Sequence, residues 1–137
     1  MSPEVVAFAA GFPIMLLHAA VGLGLLFAGS ALYALLSPHK EIARVRDGNA
    51  AAAVSLGGAA IGLAIPLAAA LIATTSVLDI LFWGGSTAVL ALLGFRFIDL
   101  LLAGLPERMR EGDVGAAVVL VAGRLALAGV LAAAIAV

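Results

Sequence analysis

The chain contains four apolar runs, Val5 to Leu36, Ala50 to Ala73, Leu81 to Ala103 and Val114 to Val137, and each is long enough to cross a membrane. A helix needs roughly 20 mostly apolar residues to traverse about 30 Å of hydrocarbon. Of the residues, 65% are hydrophobic and 11% charged, with a mean hydropathy of +1.27. Soluble domains run about half apolar and a quarter charged, so a water-soluble core cannot absorb the excess. The runs lack the polar/apolar alternation of a spanning barrel. The expected fold is therefore an all-α membrane protein with four transmembrane helices in a single integral domain. The opening "MSPEVVAF" carries Glu4 and no basic residue. It lacks the basic region of a signal peptide and is expected to be retained. The absence of cysteine removes disulfides, thiolate metal sites and cysteine nucleophiles together.

Charge is distributed more informatively than its net value of −1. Five of the seven basic residues fall in two short connectors, Lys40, Arg44 and Arg46 in the first, Arg108 and Arg110 in the second. With four spans these connectors share one side, and basic residues in short loops face the cytoplasm. The expected topology is multi-pass, N-out and C-out.

The two connectors also resemble one another. "RVRDGNAAAAV" begins at Arg44 and "RMREGDVGAAV" at Arg108, an offset of 64 residues. Residues 44–70 and 108–134 match at 13 of 27 positions, but many matches are Ala or Leu, which coincide cheaply. The polar correspondences carry the argument: Arg44 with Arg108, Arg46 with Arg110, Gly48 with Gly112 and Asn49 with Asp113. Two tandem helical-hairpin repeats pointing the same way follow, over residues 1–72 and 73–137, related by an axis along the membrane normal. Pro38 and Pro106 suit the first position of a short connector helix. Gly48 and Gly112 suit a left-handed C-terminal stop. Asn49 and Asp113 can then cap the next span, and the arginines lie where anionic headgroups would be.

The stretch "SPHKEIARVRDGNAAAAVSLGGAAIGLAIPLAAA" resembles the signature of the domain of unknown function 350 family. The residues that carry the likeness include Pro38, Glu41, Arg46, Gly48, Asn49, Gly58, Gly62, Pro66 and Leu67. The second copy matches more weakly, through Gly112, Asp113, Ala116 and Ala117. The resemblance implies a small, YjfL-like protein of the bacterial inner membrane with a tandem two-helix unit. It implies no activity, and only a genomic association with envelope stress.

Within the spans, Gly58 and Gly62 have the spacing that lets helix backbones approach closely in lipid. Packing inside the first hairpin is expected of them. Pro66 and Pro13 interrupt the backbone ladder and should kink their helices. The sharpest signal is polar. Arg96, Asp99 and Arg124 fall inside the second hairpin, where an arginine costs roughly 2.5–3.5 kcal/mol at the bilayer centre. Side chains lean toward the N-terminus of their helix. Arg124, about 18 Å above Gly112, and Asp99, roughly 8 Å above Gly104, therefore lean toward each other and should pair. Arg96 is expected to join them as a buried charge and to need water, carbonyls, a lipid phosphate or an anion. His18 reads as a packed imidazole, with a proton or ligand role as the alternative.

The sequence has no HExxH, GxSxG, phosphate-binding loop or paired-carboxylate arrangement, so no enzyme, cofactor, metal or nucleic-acid partner is expected. The leading expectation is a small homo-oligomeric membrane protein that conducts or transports an ion or small solute near Arg96, Asp99 and Arg124. The alternative is a non-catalytic scaffold whose basic connectors recruit a peripheral cytoplasmic stress protein or organise anionic lipid.

The orientation is testable. A reporter fused at the C-terminus should be active in the periplasm, and one placed within residues 38–48 should be active in the cytoplasm. The reverse pattern would overturn the reading of the arginines.

Overall fold

The computed structural model describes residues 1–38 and 40–136, so Val137 at the end of the fourth run lies outside the described residues. Its elements in chain order are α1 (Pro3–Leu36), α2 (Glu41–Arg46), α3 (Ala50–Ala73), α4 (Val77–Leu101), α5 (Leu105–Arg110) and α6 (Val114–Ile135). Helices α1, α3, α4 and α6 are long and apolar enough to span a membrane, while α2 and α5 are connectors of six residues each.

The connectors follow the same backbone path. Each is entered through a left-handed residue, Lys40 at φ 50° and Gly104 at φ 93°. Each is left through a left-handed glycine, Gly48 at φ 87° and Gly112 at φ 96°, a conformation that costs glycine little. The next residue caps the following span: Asn49 accepts from the Ala52 N–H and Asp113 from the Ala116 N–H, both at 3.1 Å. Pro38 departs from expectation. The first connector helix begins only at Glu41, because the left-handed Lys40 breaks the path, whereas Pro106 does lie in the first turn of α5. The Ala116 N–H and then Arg108 hold the Asp113 carboxyl below its ordinary range. Its cap is therefore complete above the ordinary carboxylate pKa and is lost as pH falls through the lowered one. The Asn49 cap does not titrate.

Both connectors lie at one end of the bundle. The Arg44 Nη1 and Asn49 Nδ2 atoms each donate to the Arg110 carbonyl at 3.0 Å. Beneath them Ala51, Ala52, Met109, Ala116, Ala117 and Leu120 form a buried layer. A second apolar layer, built on Ala59, Leu63, Ala88, Ala91 and Phe95, fills the middle.

The closest packing is between α3 and α6, and it explains the glycines. A Cβ at Gly58 would overlap the Val121 side chain of α6, and one at Gly62 would come within 2.7 Å of the Phe95 ring on α4. These two glycines therefore join the hairpins to each other, rather than closing the first hairpin as the spacing suggested. Helix period explains this: Gly58, Ala59, Gly62, Leu63, Pro66 and Leu67 form one buried stripe, and that stripe faces the second half of the chain. The first hairpin is closed instead by Gly22 against Leu71 and Gly29 against Leu63. Helices α1 and α3 run unbroken through Pro13 and Pro66. Helix α4 opens with a π-helical turn at Ile80–Gly84.

Helix α1 has 34 residues, about 51 Å at the α-helical rise. Because Gly22 lies against Leu71 near the end of α3, the first half of α1 runs past its neighbours, and every residue from Met1 to Leu17 is exposed.

Gly57 faces open space, which supplies a control. Gly58→Ala should destabilise the bundle by about 1–3 kcal/mol, the usual range for overpacking. Gly57→Ala should be neutral or slightly stabilising, since alanine is the better helix former. Thermal unfolding in mild detergent compares them, and adding Val121→Ala should recover part of the Gly58→Ala loss.

Candidate functional site

Helical spacing brings five polar side chains together. The inward stripe of α4 is Thr87, Ala88, Ala91, Phe95 and Asp99; that of α6 is Ala116, Ala117, Leu120, Arg124 and Ala128. Residues three and four apart share a helix face, so Asp99 and Arg124 are carried inward by their apolar neighbours. Ser55 lies on the buried stripe of α3, and Tyr33 is buried near the end of α1. Glu41, the first residue of connector α2, turns down into the same space and is 1% exposed.

Arg124 has no exposed surface. Its Nη2 donates to Asp99 Oδ1 at 3.1 Å, the pair that the lean of the two side chains implied. Its Nη1 donates to Ser55 twice, to Oγ at 2.9 Å and to the carbonyl oxygen at 3.1 Å. The Ser55 hydroxyl donates in turn to Glu41 Oε1 at 2.8 Å. The Tyr33 hydroxyl reaches both Glu41 oxygens, at 2.8 and 2.9 Å. The guanidinium also lies 5.4 Å from the Tyr33 ring centroid and 5.9 Å from that of Phe95, within cation–π range. Only its Nε lacks a partner. Removing a guanidinium from water costs several kcal/mol, and that cost is offset only when its donors are met by opposite charge and hydrogen bonds. Here one residue from α4, two groups of one residue of α3 and two aromatic faces meet it.

The sequence led to Asp99 and Arg124 but not to the rest of the network. Glu41 lies in a charged connector and looks like part of a solvated face. A signal was present: the residue 64 positions later is Leu105, which is half-buried against the layer beneath the connectors. The position therefore faces inward in both connectors. Ser55 and Tyr33 stand in apolar runs, where either reads as ordinary.

Arg96 requires a correction. It was expected among the buried charges, yet its side chain is exposed and has no hydrogen-bond or ion-pair partner among the described residues. It is one residue past Phe95, about 100° round the helix from the inward stripe, given 3.6 residues per turn. Arg96 instead borders two adjoining cavities, of about 280 and 230 Å³, and Asp99 borders both as well. His18 is half-buried on α1 at the other end of the bundle, away from the network. Among the described residues no group of three His, Asp or Glu converges as metal ligands.

With the geometry in place, comparison with known proteins identifies the lineage. The family described as Domain of Unknown Function (DUF350) matches residues 7–135. The UPF0719 inner membrane protein YjfL of Escherichia coli strain K12 is 30% identical over 109 residues, covering 80% of this chain and 81% of the relative. The protein of the same name from Escherichia coli O157:H7 matches equally. No solved structure matches. The chain belongs to the DUF350 family and is an integral membrane protein.

The network makes a graded prediction. Arg124→Leu leaves Glu41 and Asp99 facing each other's charge in a low-dielectric site, and breaking a buried pair this way costs about 3–5 kcal/mol. Asp99→Asn keeps an acceptor oxygen and leaves Glu41 nearby, so it should cost less. Adding Asp99→Leu to Arg124→Leu should restore little, because Glu41 remains. Stability should return only when Glu41→Gln is added. Thermal unfolding of the series checks this order, and full recovery in the double variant would refute a three-charge network.

Proposed function

We propose that this DUF350-family chain translocates an ion across the bacterial inner membrane as a homo-oligomer, using the Asp99–Arg124–Ser55–Glu41 network as its ion site. One observation carries the reading: Asp99 is 9% exposed and borders two cavities, while its carboxylate holds an arginine that is fully buried. A carboxylate thus stands between open space at the connector end and a charge that is fully enclosed. Intramembrane ionisable residues of this kind commonly mark ion paths and proton relays. A proton is the ion best suited to this geometry, since it moves between hydrogen-bonded groups without a pore. The apolar layer of Ala59, Leu63, Ala88 and Ala91 separates the network from the far end of the bundle. Passage therefore needs a second arrangement of the helices, as in other two-state transitions.

Two features support the remaining parts of the reading. The first half of α1 is apolar and exposed, and the whole helix, about 51 Å at the helical rise, exceeds about 30 Å of hydrocarbon; both favour contact with further copies. The shared backbone path of the connectors favours two tandem hairpins, and their basic residues favour a cytoplasmic location.

A second reading has its own observation. Arg44 and Asn49 tie the first connector to the Arg110 carbonyl of the second, so both form one platform that leaves Lys40, Arg46 and Arg108 exposed. Such a platform suits a membrane scaffold that recruits a peripheral protein or anionic headgroups.

Reconstitution in liposomes holding a pH-sensitive dye, with an imposed membrane potential, tests the first reading. Wild type should acidify the lumen well above protein-free vesicles, and Asp99→Asn should lose about tenfold or more of that rate, the lower end of general acid–base effects. Light scattering in mild detergent should report more than one chain per particle. Wild-type flux at the protein-free level would refute ion translocation. A soluble partner then bound by wild type and not by the Arg46→Gln, Arg108→Gln double variant would establish the scaffold.

A further inference from the structure

The two cavities beside Arg96 form one amphipathic space. The larger, about 280 Å³, lies between α1 and α4 and has apolar walls that include Leu32, Leu36, Val89 and Leu93. Leu36 and Leu93 are exposed at its rim, so it opens sideways between the two helices. The smaller, about 230 Å³, shares Pro38, Arg96 and Asp99 with it and continues to Glu107 and Arg110 of connector α5. One end is thus hydrocarbon-like and open to the side between two spans, and the other is polar and level with a connector.

Two guanidiniums at the polar end keep donors that no described residue meets. Asp99 is committed to Arg124. Arg96 has no partner among the described residues, and the Arg110 Nε is buried with no hydrogen bond. Glu107 and Asp99 border the same space, so two cations face two carboxylates there. What stays unmet is the hydrogen bonding of the Arg96 guanidinium and the Arg110 Nε rather than net charge. An unpaired arginine at this depth needs a counter-charge or water. A phosphodiester carries one negative charge, and its oxygens match the forked donors of a guanidinium.

We propose that this space binds one anionic phospholipid, with its phosphate between Arg96 and Arg110 and the upper part of one acyl chain along Leu32, Leu36, Val89 and Leu93. The larger cavity is near the lower end of small-molecule sites, roughly 300–1,000 Å³, so it accepts a segment of a single chain while the rest of the lipid stays in the bilayer. The lipid seals the opening between α1 and α4 and supplies the acceptor that Arg96 lacks. This assignment does not depend on ion translocation, and its test reads binding alone.

The purified, delipidated protein is titrated with phosphatidylglycerol, with phosphatidylcholine of the same chains, or with inorganic phosphate, and followed by thermal unfolding and native mass spectrometry. Phosphatidylglycerol should raise the melting temperature and remain bound at one per chain. Arg96→Gln should unfold like wild type without lipid, yet bind phosphatidylglycerol about tenfold more weakly or worse, as expected for a lost charged hydrogen bond. Arg96→Lys should keep part of the affinity, and Leu93→Trp should lose it by filling the apolar end. Equal effects of the two lipids, unchanged binding by Arg96→Gln, or full protection by inorganic phosphate would each overturn the proposal.

Discussion

A guanidinium with no exposed surface, held inside a membrane span, is the constraint around which this bundle is arranged. Arg124 cannot be buried by its own helix. Its Nη1 needs Ser55 of α3, its Nη2 needs Asp99 of α4, and its faces need Tyr33 of α1 and Phe95 of α4. Glu41 then fixes connector α2 against the same group through Ser55 and Tyr33. All four spans and one connector are thus committed by one cation. The close approach of α3 and α6 at Gly58 serves the same end, since the Ser55 carbonyl lies one turn away from the glycine that lets the backbones meet.

The chemistry is divided unevenly between the two halves, although their connectors share a backbone path. Residues 64 positions apart pair Tyr33 with Phe97, Glu41 with Leu105 and Ser55 with Val119, while Asp99 pairs with Leu35 and Arg124 with Ala60. In each pair one member is polar in the network and the other is not. The first half supplies an acid, a serine and a phenol; the second supplies the arginine and its direct partner. The first half cannot bury Glu41 alone, because an isolated charge in an apolar setting has no compensation. The second half pairs Arg124 with Asp99 but relies on Ser55 of the first for the acceptors of Nη1. The division makes the hairpins mutually dependent without any covalent link beyond the chain.

How much of this was legible follows from the range over which each residue acts. The spans were readable because hydropathy is summed over some twenty neighbours. The glycine stops at Gly48 and Gly112 and the caps at Asn49 and Asp113 were readable because their partners lie within four residues. The Asp99–Arg124 pair was readable because both residues are rare in a span and the lean of a helical side chain is fixed. What failed was set by rotation and by folding back. Arg96 and Asp99 are three residues apart, and the sequence gives no sign that the inward stripe admits only one of them. Gly58 and Gly62 have a packing spacing, but spacing names no partner. Glu41 is buried because a connector of six residues dips below the ends of the spans, and no local pattern encodes that dip.

The same geometry bears on how the network could change state. The Ser55 hydroxyl accepts from Arg124 and donates to Glu41, so a single serine separates the arginine from its second carboxylate. Arg124 therefore has two acids in its network, Asp99 directly and Glu41 through one serine, the first bordering a cavity and the second on a connector. In the proposed ion path, loss of the Asp99 charge would leave Glu41, one serine away, as the remaining carboxylate in the network of Arg124. Because Arg124 lies on α6 and its Nη1 is held by Ser55 of α3, any shift of its guanidinium would bear on the contact between these two helices, where Gly58 leaves no slack against Val121.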